Sequence, residues 1–176
     1  MMQKRVGRQA AQLGALLLFN FWIQVGVASS TDPGKVIAGW VEKISLKDQT
    51  FIIKAKLDSG AKTSSIHAEN VQIFQRDGKK WVRFNLVFKD VDGTLHTIVM
   101  ERPRVRRVRI KDHDSEPDRR PTVTLEICFD GRYHETEFTL TDRGNFLYPT
   151  LLGRKFLVGV AVVDPEHTFL TKATCD

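Results

Sequence analysis

The stretch Phe51-Ile52-Ile53-Lys54-Ala55-Lys56-Leu57-Asp58-Ser59-Gly60-Ala61 decides how this chain is read. Phe51, Ile53, Ala55 and Leu57 alternate with other residues, the period of a strand with one buried face. The strand ends on Asp-Ser-Gly-Ala. Asp58 therefore falls at the rim of a core. Gly60 permits a tight turn and the close approach of a second backbone. The Ser59 hydroxyl can reach a facing loop, and Ala61 adds no further hydroxyl beside the carboxylate. Far downstream, Tyr148-Pro149-Thr150-Leu151-Leu152-Gly153-Arg154 brings two leucines into Gly-Arg.

A carboxylate that hydrolyses a peptide without metal or covalent intermediate holds a water and takes its proton. A second carboxyl close by polarises the carbonyl oxygen, and the two share one proton. The chain carries a single Asp-Ser-Gly-Ala motif, so two chains must meet to make one site. An Asp-Ser-Gly turn alone is common. The strand before it and the Leu-Leu-Gly-Arg run after it give it weight.

The rest of the chain reads as strands. Val36 to Val41 is one. Trp81 to Phe88 puts Val82, Phe84, Leu86 and Phe88 on a core face, and Leu95 to Met100 returns after an Asp90-Val91-Asp92-Gly93 turn. This hairpin is the candidate for a flap over the site. Val105 to Ile110 is another strand. Thr122 to Phe129 and Tyr133 to Leu140 flank Asp130-Gly131 as a second hairpin. Phe156 to Val163 and Thr168 to Leu170 complete the set, with a short helical turn possible after Gly153. Lys111 to Arg120, charged and carrying Pro117, is expected as an exposed loop. Short strands with Gly and Asp turns and no long amphipathic helix predict an all-β fold, a closed barrel or sandwich.

Residues 1–30 read as a signal peptide or an N-terminal anchor, and 31–176 as a single domain. Lys4, Arg5 and Arg8 precede a mostly apolar run from Leu13 to Val27, then small residues. That run is shorter than the roughly 20 residues of a membrane span. Cleavage leaves no stable membrane span, and retention leaves an anchored protein. The formal charge of +6 falls to +3 without this segment, which carries three basic and no acidic residues. Nothing in that balance calls for nucleic acid. Cys128 and Cys175 can pair in an exported chain.

Other signals are weaker. There is no His-Glu-x-x-His, and His67, His96, His113, His134 and His167 are scattered, so no metal site is expected. Gly60-Ala61-Lys62-Thr63 lacks the glycines of a phosphate loop. Ser64 and Ser65 beside His67 have no base geometry for a serine hydrolase. Arg102, Arg104, Arg106, Arg107, Arg109 and Lys111 read as a charged edge strand. The alternative is a docking strip for an anionic partner.

Lys56 to Ala68 and Asn145 to Leu157, followed by Val162-Val163-Asp164-Pro165, resemble the bacterial retropepsin-like aspartic peptidases, a family once labelled ATP-dependent zinc proteases. The resemblance covers roughly residues 36 to 172. It implies the acid-protease fold, a homodimeric site, and Asp58 as the catalytic carboxylate of each subunit. Ser59, Gly60 and Ala61 form the active-site loop, and Leu152, Gly153 and Arg154 support it from beneath. It implies no cofactor. Retroviral relatives carry an acid four residues after the catalytic Asp, where this chain has Lys62. Arg154 is then expected to find another acid, with Asp142 and Asp164 as candidates. The reading is a periplasmic, metal-independent endopeptidase acting on peptides or proteins of the cell envelope. A non-catalytic envelope-binding domain on the same fold is the alternative.

Overall fold

The computed structural model describes residues 34–110 and 118–175. The strands are β1 (Val36–Gly39), β2 (Val41–Leu46), β3 (Ile53–Asp58), β4 (Ser64–Arg76), β5 (Lys79–Lys89), β6 (Leu95–Pro103), β7 (Arg106–Ile110), β8 (Asp118–Phe129), β9 (Arg132–Thr141), β10 (Thr150–Gly153) and β11 (Ala161–Asp164). One helical turn, α1 (Arg154–Leu157), follows β10. The fold is all-β, as expected, and β10-β3-β2-β8-β9-β4 close on themselves through a β10–β4 pairing into a six-stranded barrel. Closure removes the edges of those six strands, which an open sheet would leave unpaired. The barrel is filled by Ile44, Ile53, Leu57, Ile66, Val123, Ile127, Phe129, Phe138 and Leu152, all 3% exposed or less.

β10 lies between β3 and β4, parallel to the first and antiparallel to the second. Leu152 pairs with Leu57 and Gly153 with Asp58, so the two motifs of the sequence meet side by side at the strand ends. β4 leaves the barrel at a bulge between Glu69 and Gln72, where Asn70 has φ 51. A bulge bends its strand. Beyond it, β4, β5 and β6 form a three-stranded arm. Asp77 and Gly78, and likewise Asp130 and Gly131, have positive φ, the backbone that tight two-residue hairpins need.

Five expectations need correction. Val36 to Val41 is two strands, broken at Trp40, whose N–H donates to His167 O at 3.1 Å. Phe156 to Val163 is α1 followed by β11, because the chain turns at Gly159 with φ 80. Thr168 to Leu170 is not a strand; Leu170 N donates to a side chain rather than to a ladder. Arg119 and Arg120 belong to β8, pairing with Arg109 and Val108, whereas 111–117 lie outside the described residues. The β5–β6 hairpin is not a free flap. β5 is paired on both edges, and Val82, Phe84, Leu86 and Phe88 are 0 to 1% exposed. Cys128 and Cys175 form a disulfide, tying the C-terminal tail to β8. The N-terminal signal or anchor lies outside the described residues.

Candidate active site

Asp58 sits on the last position of β3, half-buried, with Leu57 before it in the core. Its Oδ1 accepts the N–H groups of Gly60 (2.9 Å) and Ala61 (3.2 Å). The carboxylate thus folds the loop around itself, and two fixed donors hold its orientation. Lys56, two residues earlier on the same strand face, places Nζ 3.9 Å from Oδ2. Ser59 and Gly60 are exposed at the tip of the loop.

Gly153 and Arg154 support the loop from below. A Cβ on Gly153 would stand 2.7 Å from Thr63 C and 3.0 Å from Ala61 O, so only glycine fits. Gly153 N donates to Ser64 Oγ, and the N–H groups of Arg154 and Lys155 donate to Ala61 O and Lys62 O. The Arg154 guanidinium is held by carbonyls rather than by either of the expected acids. Its Nη1 donates to Ser59 O (2.8 Å) and Gly60 O (2.7 Å), which serves the same end without a carboxylate partner. Lys62 at the position of the retroviral acid is therefore no obstacle. Asp142 instead accepts from Gly144 N, and Asp164 from Glu166 N with His167 beside it.

The structure also gives a place to residues that the sequence reading left without a role. Asp58 opens into a pocket of about 320 Å³ walled by Trp40, Phe146, Leu147, Tyr148 and Leu151, with Lys56 and Arg143 as its cations. Arg143 donates from Nε to Tyr148 O and from Nη1 to Ser65 Oγ. Its own N–H is held by Nδ1 of buried His67. Burial first, then Arg120, push the Arg143 guanidinium below its usual range, while Asp58 acts the other way. Lys56 had a period-2 signal beside Asp58; Arg143 had none, since only tertiary contact brings it there.

A second hollow, about 690 Å³, runs from Ala61, Lys62 and Thr63 to β7 and β8. Arg106, Arg107, Arg109, Arg120, Lys62 and Lys155 contribute to it. Arg106 bonds Glu137, which Lys155 also contacts at 3.3 Å. Arg106, and secondarily Lys155, hold the Glu137 carboxyl below its ordinary value. Arg106, Arg107 and Arg109 of the basic run thus lie on β7 and wall the hollow beside the Asp58 loop, whereas Arg102 lies on β6, Arg104 lies between the two strands, and Lys111 is outside the described residues.

A family described as RimB-like, "Retropepsin-like aspartic endopeptidase RimB", matches residues 37–174. The chain belongs to the RimB-like family. A crystal structure of a protein of unknown function from Legionella pneumophila is similar at 36% identity and TM-score 0.65, covering 78% of this chain and 98% of that one. Two curated relatives named probable alpha-L-glutamate ligase are larger. The one from Shewanella pealeana is 39% identical over 66% of this chain and 25% of its own length. The one from Desulfotalea psychrophila is 36% identical over 77% and 29%. The chain thus spans about a quarter of the length of those relatives.

Proposed function

We propose that this RimB-like chain is an aspartic endopeptidase that works as a homodimer. One observation carries the reading: Asp58 is held by the N–H groups of its own loop, and that loop is carried on Gly153 and Arg154. Two such loops facing each other would bring two Asp58 carboxyls together. The ionised one takes a proton from water as the water attacks the peptide carbonyl, and the protonated one gives its proton to the carbonyl oxygen. The tetrahedral intermediate then collapses as the leaving nitrogen takes a proton. No metal or nucleotide enters these steps.

Several observations support the finer points. Ile37, Val158 and Val162 are exposed, and Val158 shares a surface hollow with Ser59 and Arg154, an apolar face beside the loop that a second copy would cover. The Cys128–Cys175 disulfide suits an oxidising compartment, in keeping with the export-like residues 1–30 and a periplasmic place. The cationic hollow along Lys62, Arg106, Arg107 and Arg109 suits acidic segments of substrate. Glutamate, which the larger relatives carry in their name, is one such residue.

The second reading is a non-catalytic binding domain. It is favoured by the relatives, in which the matched region is a minor part of a protein named a ligase. Cleavage of glutamate-rich and lysine-rich unstructured peptides, with chelator present, separates the two. The peptidase reading expects cleavage of the acidic peptide by the wild type and none by Asp58→Asn. Binding without cleavage by either protein favours the second.

A further inference from the structure

Glu42 is fully buried, lies on β2 away from the Asp58 loop, and has no part in the chemistry above. Its Oε1 accepts Gly39 N (2.6 Å) and Leu170 N (2.9 Å). Its Oε2 accepts Thr171 N (3.1 Å) and Thr171 Oγ1 (2.9 Å). Four donors match the acceptor capacity of one carboxylate. All four come from two places: the corner between β1 and β2, and the strap of chain that leaves β11 and ends in the disulfide.

The corner leads directly to the site. The Trp40 N–H donates to His167 O of the strap, and the Trp40 carbonyl accepts Leu57 N at 2.9 Å. Leu57 is the residue before Asp58. The Trp40 indole walls the pocket into which Asp58 opens, edge-on to Tyr148. Gly39 lies so close to the strap that a Cβ there would stand 2.4 Å from His167 O. Phe169 N donates to Val41 O, one residue beyond. Farther along, the strap is fastened by Gly131 N on Lys172 O, Ser45 Oγ on Ala173 O, and Cys128–Cys175.

We propose that Glu42 is a positioning residue for Asp58, acting by clamping the C-terminal strap onto the Trp40 corner that fixes the end of β3. The proposal rests on the peptidase reading for its effect on rate, but its structural half does not. Glutamine at position 42 keeps the size and loses an acceptor, because its amide group meets the Thr171 donors with donors of its own. Loosening the corner would let Leu57 and Asp58 shift, and small displacements of a catalytic group are costly.

The test compares wild type, Glu42→Gln and Thr171→Val. The last removes one bond at a partly exposed site and leaves the fold intact. Amide hydrogen exchange is read at Leu57, Leu170 and Thr171, with β8–β9 amides as reference. Steady-state cleavage is measured alongside. The expected result is lost protection at Leu57 and the strap in Glu42→Gln, with β8–β9 unchanged. With it, kcat falls about tenfold, below the hundredfold that a misplacement of about 1 Å can bring, while KM holds. Thr171→Val shows the same pattern more weakly. Leu57 protection equal to wild type in both variants overturns the proposal, and so does a fall in kcat that only follows the unfolded fraction. The exchange reading needs no substrate. A wild type that cleaves nothing would therefore sink the peptidase reading and leave this test standing.

Discussion

The β5–β6 and β7–β8 hairpins look alike in sequence and differ in what they do. β5–β6 and β7–β8 each alternate, and each carries arginines. β5 lies between β4 and β6, and its alternate residues fill the core. Among the described residues β7 pairs along one edge, with β8, and its arginines wall a hollow beside Lys62 and Thr63. The alternating pattern marks a strand; its neighbours decide whether the strand is core or cleft. A hairpin whose inner strand is fixed between two neighbours and whose alternate residues fill the core has no freedom to open over a substrate. β8 is likewise held by β9 and β2, so it is the outer strand β7, on the rim of the hollow beside the Asp58 loop, that can shape what binds there.

The largest effect is expected in the buried hairpin. Phe84→Ala in β5 empties a fully buried site and should cost about 3–5 kcal/mol in denaturant unfolding. A cost under about 1 kcal/mol would mean that the arm is an appendage, not part of the core. The double substitution Arg107→Ala and Arg109→Ala in β7 should do the opposite. Stability should move by no more than about 0.5 kcal/mol. KM for a glutamate-rich peptide should rise about tenfold at low salt, and the difference should shrink in high salt as screening grows. An unchanged KM would leave those arginines as edge protection alone.

The smallest effect concerns what holds β7 in place. The Arg106 bond, then Lys155, depress the Glu137 carboxyl in the folded chain. A depressed carboxyl adds stability above its unfolded value, near 4.5, and loses it as pH falls through the folded value. Wild type should therefore be slightly more stable than Glu137→Gln at neutral pH, and the two should converge below pH 4.5. Parallel curves down to the acid limit would remove this bridge as a source of stability.

Local chemistry was legible, and long-range partnership was not. Asp130-Gly131 announced its hairpin because its residues tolerate positive φ. Asp77-Gly78 carried the same signal, but β4 before it was hard to read. That strand pairs with β9 and β10 in the barrel, bends at Asn70, and then pairs with β5 in the arm, so no single alternation spans it. Trp40 broke a strand because the strap claims its N–H, which no window around Trp40 reveals. In the site, Asp58, Gly153 and Arg154 were legible because their motifs are local. Arg143 reaches the pocket only through the fold, and Tyr148, though it opens the second motif, gains its place in the pocket wall only there. Arg154 was expected to need an acid because charge is visible in a sequence and backbone carbonyls are not.

A homodimeric peptidase has one site for every two chains, built from one Asp58 of each. Mixing tests this without knowledge of the natural substrate. A fixed amount of wild type is combined with increasing Asp58→Asn, allowed to exchange, and assayed for cleavage of an unstructured acidic peptide. If mixed dimers are inactive and form freely, a threefold excess of the variant should cut activity to about a quarter by mass action. Activity that stays constant across the mixture, with exchange shown by sedimentation or mass, would contradict a shared site.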